Sequence, residues 1–296
     1  MDPRRLELLL ALSREGSMRG VSEALGVTTS TVSQQIAALA REVGTPLIEP
    51  EGRRVRLTPA GHRLADHAVT ILGAMEAARV DLDPSAEPEG TVRVAAFASA
   101  IRQVMVPLLC DVQETHPGIR LRLLEHEPAE ALDLLEADAV DLALTYDFNL
   151  APARLDSALV TRQLGTTEWG LGVPSRSGRA RSTALDEFVR YRDADWIVNS
   201  RNTDDEEVVR VIASLAGFHP KITHRADSLE LVQDMILAGM GVGLLPVNQR
   251  TARGVTVHRL RQPDVQLRSF AVTRRGRDSW APLAVVLRQL ADVTLT

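Results

Sequence analysis

The chain has 296 residues, of which 45% are hydrophobic and 25% are charged, a composition typical of a folded globular protein. This length is enough for two or three domains. The formal net charge of -5 excludes a protein that binds polyanions over its whole surface, but not one that confines its DNA-reading residues to a small domain.

Cysteine content and hydropathy exclude further classes. The single cysteine, Cys110, excludes an intramolecular disulfide and a cysteine-rich metal site. It follows an apolar run, which predicts a buried thiol. No apolar run reaches the ~20 residues that a membrane span needs, and the first residues lack the apolar core of a secretion signal. We therefore expect a cytoplasmic protein with no membrane partner.

Residues 17–39 predict two short helices joined by a tight turn. Ser17 and Thr28 are suitable N-caps for the two helices, because their hydroxyls can accept from free backbone N–H groups. Gly26 follows the first helix, where a residue that tolerates positive φ is needed. The expected buried positions are Val21, Ala24, Leu25, Val32, Ile36 and Leu39.

The other face of the second helix carries hydroxyls and amides with almost no charge, namely Thr29, Ser30, Ser33, Gln34 and Gln35. A solvated helix face is normally rich in Glu, Lys and Arg, whereas short polar side chains suit hydrogen bonds to base edges in a major groove. A helical hairpin that serves only for packing is the alternative interpretation.

The residues after this helix pair predict a wing. Residues 46–57 form a short hairpin that turns at Gly52, and arginines stand at its tip. Thr58 and Pro59 then begin a new helix, as an N-cap and a first-turn proline should. A wing beside a helix pair favours DNA binding over simple packing.

Residues 1–65 resemble the winged helix-turn-helix of the LysR-type transcriptional regulators. The segments that match in order and spacing are Glu15-Gly16-Ser17, Ala24-Leu25-Gly26-Val27, Thr31-Val32-Ser33-Gln34-Gln35-Ile36, Leu39, Gly44-Thr45-Pro46-Leu47 and residues 52–61. The resemblance implies groove contacts from the recognition helix and phosphate or minor-groove contacts from the wing. The predicted DNA-binding residues are Thr28, Thr29, Ser30, Thr31, Ser33, Gln34, Arg53 and Arg54.

Residues 59–83 predict a long helix with a narrow apolar stripe. Its members are Leu64, Ala68, Ile71, Leu72, Met75, Ala78 and Leu82. A stripe of this kind pairs with a partner helix, and the resemblance implies a dimerising linker helix; a helix packed on its own domain is the alternative. Residues 83–90, with prolines, acids and a glycine, predict a hinge.

From residue 91 strands alternate with helices. The first unit predicts strands at 91–97, 119–125 and 140–146 and helices at 99–116 and 128–137. This βαβαβ order implies a parallel sheet. Residues 159–164 are expected to cross into the second unit. That unit predicts strands at 168–173, 196–199, 222–226, 242–246, 255–260 and 266–273 and helices at 204–215, 228–238 and 280–290.

The predicted fold class is therefore α/β with an N-terminal winged helix-turn-helix rich in α-helix, a linker helix, and a two-lobe domain like a periplasmic binding protein. The predicted boundaries are 1–60 for the DNA-binding domain, 61–86 for the linker and hinge, 87–161 with 267–296 for lobe 1, and 162–266 for lobe 2. The LysR-type effector domain has this layout.

No motif predicts catalysis. Gly239, Gly241 and Gly243 come after a helix and before a strand, the reverse of a dinucleotide-binding loop, so they predict a helix end and a turn. The segment 126–130 begins like a zinc-protease helix but lacks the second histidine. No nucleophile elbow or phosphate loop is present. We therefore expect no enzyme activity, no cofactor and no metal site.

Ligands of open α/β sheets bind at the carboxyl ends of strands and at helix N-termini. The residues at those places are Ser99, Ala100, Glu127, Pro128, Tyr146, Arg201, Asn202, Thr203 and Asp227, and we expect them to converge on one cleft. Each has an alternative role as a helix cap or a loop residue. Neutral donors, Arg201 as a cation and few aromatics predict a small polar metabolite that bears an anionic group or is zwitterionic.

The sequence thus resembles that of a LysR-type regulator. The resemblance implies binding to an imperfect inverted repeat in promoter DNA as a homodimer or homotetramer, with RNA polymerase as a further partner, and modulation by a small molecule between the lobes. One alternative is a two-lobe ligand-binding protein or enzyme, which the N-terminal motif disfavours. Another is a thiol-responsive regulator, for which Cys110 leaves sulfenylation or an intermolecular bond open.

Overall fold

The structure is a computed structural model that describes residues 1–52, 54–82, 87–154 and 156–291. Arg53 and residues 83–86 of the predicted hinge lie outside the described residues. The helices are α1 (Pro3–Glu15), α2 (Met18–Leu25), α3 (Thr29–Val43), α4 (Pro59–Leu82), α5 (Ala98–Ala100), α6 (Val106–Thr115), α7 (Pro128–Glu136), α8 (Ala184–Arg190), α9 (Asp204–Leu215), α10 (Leu229–Leu237) and α11 (Ala281–Ala291). The strands are β1 (Ile48–Glu51), β2 (Arg54–Leu57), β3 (Gly90–Ala96), β4 (Ile119–Glu125), β5 (Leu142–Phe148), β6 (Leu159–Pro174), β7 (Asp195–Val198), β8 (Lys221–Arg225), β9 (Val242–Pro246), β10 (Val255–Arg259) and β11 (Val265–Arg274).

Local hydrogen bonds fix the ends of the first helices. Ser17 Oγ accepts from Gly20 N at 3.0 Å, and Thr28 Oγ1 accepts from Thr31 N at 3.1 Å. Gly26 ends α2 with φ at 64°, a left-handed conformation that costs glycine nothing. The predicted caps and the predicted turn between the two helices are confirmed.

The N-terminal head, formed by α1–α3, β1, β2 and the first half of α4, has its own hydrophobic core. Its fully buried side chains include Leu6, Leu9, Val21, Val32, Ile36, Leu39 and Leu47. Ala24 and Leu25 were predicted as buried but are exposed, with Leu25 at 47%. Val21 is the one buried residue of α2, because a helix of eight residues places few side chains toward α1 and α3.

The apolar stripe of α4 serves two different surfaces. Ala68 belongs to the core of the head, and Leu64, Ile71 and Leu72 are partly buried and pack against that core. Met75 and Leu82, further along the helix, are 48% and 85% exposed. The first half of the stripe therefore packs on its own domain, as in the alternative interpretation, whereas Met75 and Leu82 in the second half are free to meet a partner.

The remaining strands form one nine-stranded sheet in the order β4-β3-β5-β11-β6-β9-β7-β8, with β10 paired to β6. In lobe 1, β3 is parallel to β4 and β5; in lobe 2, β7 is parallel to β8 and β9. The long strands β6 and β11 are antiparallel to each other between the two parallel groups. The predicted α/β class with two lobes is confirmed.

β6 is a single strand of 16 residues that includes both the predicted strand at 168–173 and the expected crossing segment at 159–164. Its first part pairs with β11, and residues 169–174 pair with β9 and β10. Gly165 pairs with Ser269 and Gln163 with Phe270, so the register between β6 and β11 shifts at this point but the pairing continues on both sides of it. The strand therefore connects the two lobes.

Three further features differ from the prediction. α8 was not predicted. β5 extends to Phe148, so Tyr146 lies within the strand rather than after it. Cys110 was predicted as buried but is exposed. Val106, one helical turn before it, is also exposed, because this side of α6 faces away from the core that covers Leu108 and Val112. Within the described ranges, no helix is long and apolar enough to cross a membrane.

The head packs directly on lobe 1. Thr70 Oγ1 on α4 donates to the carbonyl oxygen of Arg275 at 3.3 Å. A Cβ atom at Gly73 would lie 2.8 Å from Ser279 Oγ, so glycine permits this close approach. The contacts set the position of the head relative to the sheet.

Candidate functional site

The outer face of α3 carries the residues predicted to contact DNA. Thr29, Ser30, Ser33 and Gln34 are exposed, and Thr31 is half-buried. The Thr28 hydroxyl lies 2.8 Å from both the Ser30 and the Thr31 hydroxyls. This hydroxyl cluster at the helix N-terminus can donate to and accept from a nucleic acid, and the helix dipole there favours a phosphate.

Gln35 differs from its neighbours on α3. Its Oε1 accepts from Arg5 Nε at 3.0 Å, so the amide holds α1 against α3. In the wing, Glu51 of β1 and Arg54 of β2 are opposite each other in the antiparallel backbone ladder. Gly52 lies in the turn of the hairpin, with φ at 60°. Arg53, the other predicted wing contact, lies outside the described residues.

Two cavities lie where the effector site was predicted. Cavity A has a volume of about 680 Å³, and cavity B has a volume of about 560 Å³. The predicted residues that line cavity A are Ser99, Glu127, Tyr146 and Asp227. Those that line cavity B are Pro128, Tyr146, Arg201, Asn202 and Thr203. Ala100 is fully buried and lines neither cavity. The predicted effector-binding residues, which were expected to converge on one cleft, are thus divided between two cavities.

A short chain of hydrogen bonds crosses the lobes beside both cavities. Tyr146 Oη in β5 donates to Glu127 Oε2 at 2.8 Å and accepts from Asn202 Nδ2 at 2.9 Å. Glu127 precedes α7 in lobe 1, and Asn202 precedes α9 in lobe 2. Tyr146 therefore connects the lobes and forms part of the wall of each cavity.

Arg201 makes the second contact between the lobes. Its Nε donates to Glu130 Oε1 at 3.2 Å, and its Nη2 contacts the other carboxylate oxygen. The hydrogen bond from Arg201 holds the pKa of Glu130 down at about 2. Since its guanidinium is already paired, Arg201 is not the free cation that the sequence analysis expected at the rim.

Burial changes the acidity of three carboxyl groups near these contacts. It raises the pKa of Glu127, which is also close to the charge of Asp227. It raises the pKa of Asp204 to about 6 and that of Asp205 to about 7. Asp204 and Asp205 can therefore exchange a proton near neutral pH. No group of three or more His, Cys, Asp or Glu among the described residues is arranged to hold a metal ion.

The residues of cavity A that sequence reasoning missed include three aromatic side chains and a buried carboxyl group, namely Phe97, Phe148, Trp169 and Asp205. Asp205 lies at the start of α9, two residues beyond the strand-end loop that was singled out, so the same rule extended by half a turn would have found it. The aromatic residues were discounted because the chain has few of them. A low aromatic content does not predict where the aromatic residues lie in the folded protein.

A winged helix-turn-helix head joined to a two-lobe α/β domain with ligand-sized cavities defines a DNA-binding regulator with an effector-binding domain. Family models agree: the "Bacterial regulatory helix-turn-helix protein, lysR family" matches residues 3–62, and the "LysR substrate binding domain" matches residues 85–294. The chain belongs to the LysR family of transcriptional regulators.

Individual relatives extend over nearly the whole chain. A probable hydrogen peroxide-inducible genes activator of Mycobacterium avium is 28% identical over 92% of this chain and 84% of that protein. A full-length OxyR variant of Pseudomonas aeruginosa has a TM-score of 0.72 at 19% identity, covering 99% of this chain and 94% of that one. The full-length regulator LysG of Corynebacterium glutamicum with bound effector arginine has a TM-score of 0.63 at 22% identity, covering 100% of both chains. The two solved structures support the fold.

Proposed function

We propose that a small molecule bound in cavity A changes how this regulator binds promoter DNA. The observation that carries the proposal is the hydrogen-bond chain from Glu127 through Tyr146 to Asn202, which joins the lobes at the wall of the cavity. A ligand shifts a conformational equilibrium only by its difference in affinity for the two states. A ligand that competes for Glu127 or Tyr146 breaks one of the hydrogen bonds that together join the lobes. Its affinity therefore differs between the arrangement of the lobes that has this bond and the arrangement that lacks it.

The path from the cavity to the DNA runs through lobe 1. The head packs on this lobe through α4, and Arg14 of α1 is hydrogen-bonded to Asp138, just after α7. A rotation of lobe 1 relative to lobe 2 therefore moves the head and its recognition helix. In a dimer, such a movement changes the spacing of the two recognition helices relative to the half-sites of the operator.

We propose a homodimer or homotetramer as the functional assembly. The support in the chain is the exposed apolar end of α4, at Met75 and Leu82, which the head leaves uncovered. RNA polymerase is a further partner in this proposal. The protein acts in the cytoplasm and is not an enzyme; its relatives are named as transcriptional regulators.

A thiol-responsive mechanism has less support. The relative from M. avium is named for induction by hydrogen peroxide, but an intramolecular disulfide switch needs two cysteines and this chain has only Cys110. Cys110 is exposed and lines neither cavity. Its oxidation therefore has no direct route to the contacts between the lobes.

The test compares one variant in each cavity. Genomic DNA fragments selected by the purified protein serve as the operator, and an inducing metabolite is found by screening for release or tightening of that complex. Ser99 lines cavity A and Thr203 lines cavity B. We expect Ser99→Ala to shift the inducer concentration at half-effect by roughly 5- to 30-fold, the loss of one or two hydrogen bonds, and Thr203→Ala to leave it within twofold.

The reverse ranking would transfer the effector site to cavity B. An operator complex that responds to no metabolite, or variants that both respond like the parent, would contradict regulation through the cavity. A Ser157→Ala variant, in the loop before β6 and away from both linings, serves as the matched control.

A further inference from the structure

Cavity A is unusually aromatic for this chain. Phe97, Tyr146, Phe148 and Trp169 all line it, whereas aromatic residues make up only 3% of the sequence. They form a continuous row: the ring centroids of Phe97 and Tyr146 are 4.8 Å apart, those of Tyr146 and Phe148 are 6.2 Å apart, and those of Phe148 and Trp169 are 5.4 Å apart. Aromatic rings attract cations through the negative charge of their faces.

The same cavity is strongly acidic. Its charged lining residues are the carboxylates Glu125, Glu127, Asp205, Asp227, Glu230 and Asp234 and the guanidiniums Arg102 and Arg250. Arg102 is already paired with Glu230 at 2.5 Å. The excess of negative charge is the opposite of what an anionic ligand would require, so the metabolite with an anionic group that the sequence suggested does not match this lining.

Of these six carboxylates, Glu230 has an ion-pair partner within the part of the chain that the structure describes and the other five have none. Glu127, Asp205 and Asp227 are three of those five. Asp227 accepts from Ser200 N at 2.8 Å and Ser200 Oγ at 2.6 Å. Asp205 Oδ2 accepts from Asn199 N at 2.9 Å, while its Oδ1 is buried with no hydrogen-bond partner among the described residues. These neutral donors leave the negative charges uncompensated.

The negative charges also repel one another. Asp227 raises the pKa of Glu127, and Arg201, whose charge acts on both carboxylates, directs its guanidinium at Glu130. A positive charge placed in cavity A would relieve this repulsion and give the orphaned Asp205 Oδ1 a donor. A bare metal ion is a poor candidate, because the carboxylates are not clustered as metal ligands in any described part of the chain.

We propose that cavity A binds a small organic cation, a primary amine or guanidinium compound with a short apolar body. Its nitrogen would donate to Glu127, Asp205 or Asp227, and its apolar body would lie along the aromatic row. The proposal names the effector class of the regulatory cavity and so rests on the proposed function for its consequence, although binding itself can be measured without DNA.

The experiment measures binding to the full chain by isothermal titration calorimetry. The cationic probes are 1,4-diaminobutane, 4-guanidinobutylamine and 2-phenylethylamine, and the matched anions are succinate and 3-phenylpropanoate. We expect saturable binding of at least one cationic probe and none of the anions at the same concentration. Glu127→Gln and Asp227→Asn should each weaken the cation roughly 10- to 100-fold, the loss of a hydrogen bond to a charged group.

Glu114→Gln is the control, because Glu114 is an exposed carboxylate on α6 that lines neither cavity. It should bind the cation like the parent, and circular dichroism checks that all three variants are folded. Binding of an anion with no cation bound would overturn the proposal. So would the absence of binding by every cationic probe, or equal affinity in the parent and both cavity variants.

Failure of this proposal is distinguishable from failure of the proposed function. If an anionic inducer alters operator binding and Ser99→Ala blunts the response, regulation through cavity A stands and the cationic class is wrong. If the cation binds and the cavity variants weaken it, but operator binding does not change on saturation, the ligand class stands and regulation through the cavity is wrong.

Discussion

Arg14 Nε in the DNA-binding head donates to Asp138 Oδ2 in lobe 1 at 2.5 Å, although 124 positions separate them in the sequence. Asp138 is buried and also pairs with Arg274 Nη1 at 3.1 Å. Arg274 in turn contacts Asp66 on the linker helix. One buried carboxylate thus holds a guanidinium from the head and another from the sheet.

Removal of this carboxylate should loosen the head from lobe 1. Asp138 has φ at 55°, which asparagine tolerates well, so Asp138→Asn removes the charge without adding backbone strain. It leaves Arg14 partly buried without its counter-ion, while Arg274 keeps Asp66, and we expect a loss of about 3 kcal/mol in the free energy of unfolding. Urea denaturation measures it. Asp66→Asn, in the exposed pair, should cost less than about 1 kcal/mol, and equal urea midpoints for the two variants would contradict the buried role of Asp138.

Asp205 should make the protein less stable as pH rises. Burial raises its pKa to about 7 in the folded protein, whereas an unfolded aspartate has a pKa of about 3.9. The folded state therefore binds the proton more tightly between those values, so this group's contribution to stability is full below pH 4 and declines up to about pH 7. Asp204 and Glu206 on the same helix add to the negative field.

Asp205→Asn should abolish that decline, because the amide keeps an oxygen for Asn199 N and carries no charge at any pH. We expect the free energy of unfolding of the variant to exceed that of the parent by roughly 2–4 kcal/mol at pH 8 and to equal it near pH 4. Urea midpoints measured across this pH range test the sign of the difference in stability. Asp111→Asn, an exposed aspartate on α6, should follow the parent at every pH.

The recognition helix should determine sequence specificity and the wing should determine general affinity. Gln34 is exposed on α3, and Gln34→Ala should cost roughly 1–3 kcal/mol at the operator and little on random DNA. Arg53→Ala should weaken binding to the operator and to random DNA alike, and should reduce the salt dependence of the binding constant by about one phosphate contact. Binding isotherms at several salt concentrations separate the two effects. Gln113→Ala on α6 is the control, and loss of random-DNA binding in Gln34→Ala would argue against this assignment.

Assembly should depend on the distal part of α4. Met75 and Leu82 are exposed, so replacing both with Glu should place like charges at a seam between partner helices and dissociate the assembly without unfolding the chain. Ile71 and Leu72 are partly buried against the core of the head, so the same replacement there should unfold the head instead. Sedimentation velocity and circular dichroism together distinguish these outcomes. An unchanged sedimentation coefficient for the distal pair would refute dimerisation through this stripe.

Local sequence determined the first helices because their signals act over three or four residues. Ser17 and Thr28 cap helices through hydrogen bonds to residues three positions along, and Gly26 provides a conformation that other residues avoid. The alternation of strands and helices from residue 91 likewise determined the α/β class, since a βαβ unit has one favoured topology. The family resemblance rested on the same local segments.

Only the tertiary structure decided which of the predicted effector residues share a cavity. Ser99 and Thr203 both follow the strand-end rule, yet they line different cavities, because Tyr146 extends from the middle of β5 between them. Gln35 shares a helix face with Gln34 but is held by Arg5 from another helix. Periodicity specifies which side of a helix or strand a residue lies on. Which other element covers that side depends on contacts between residues far apart in the sequence. These contacts form only when the sheet and helices pack together.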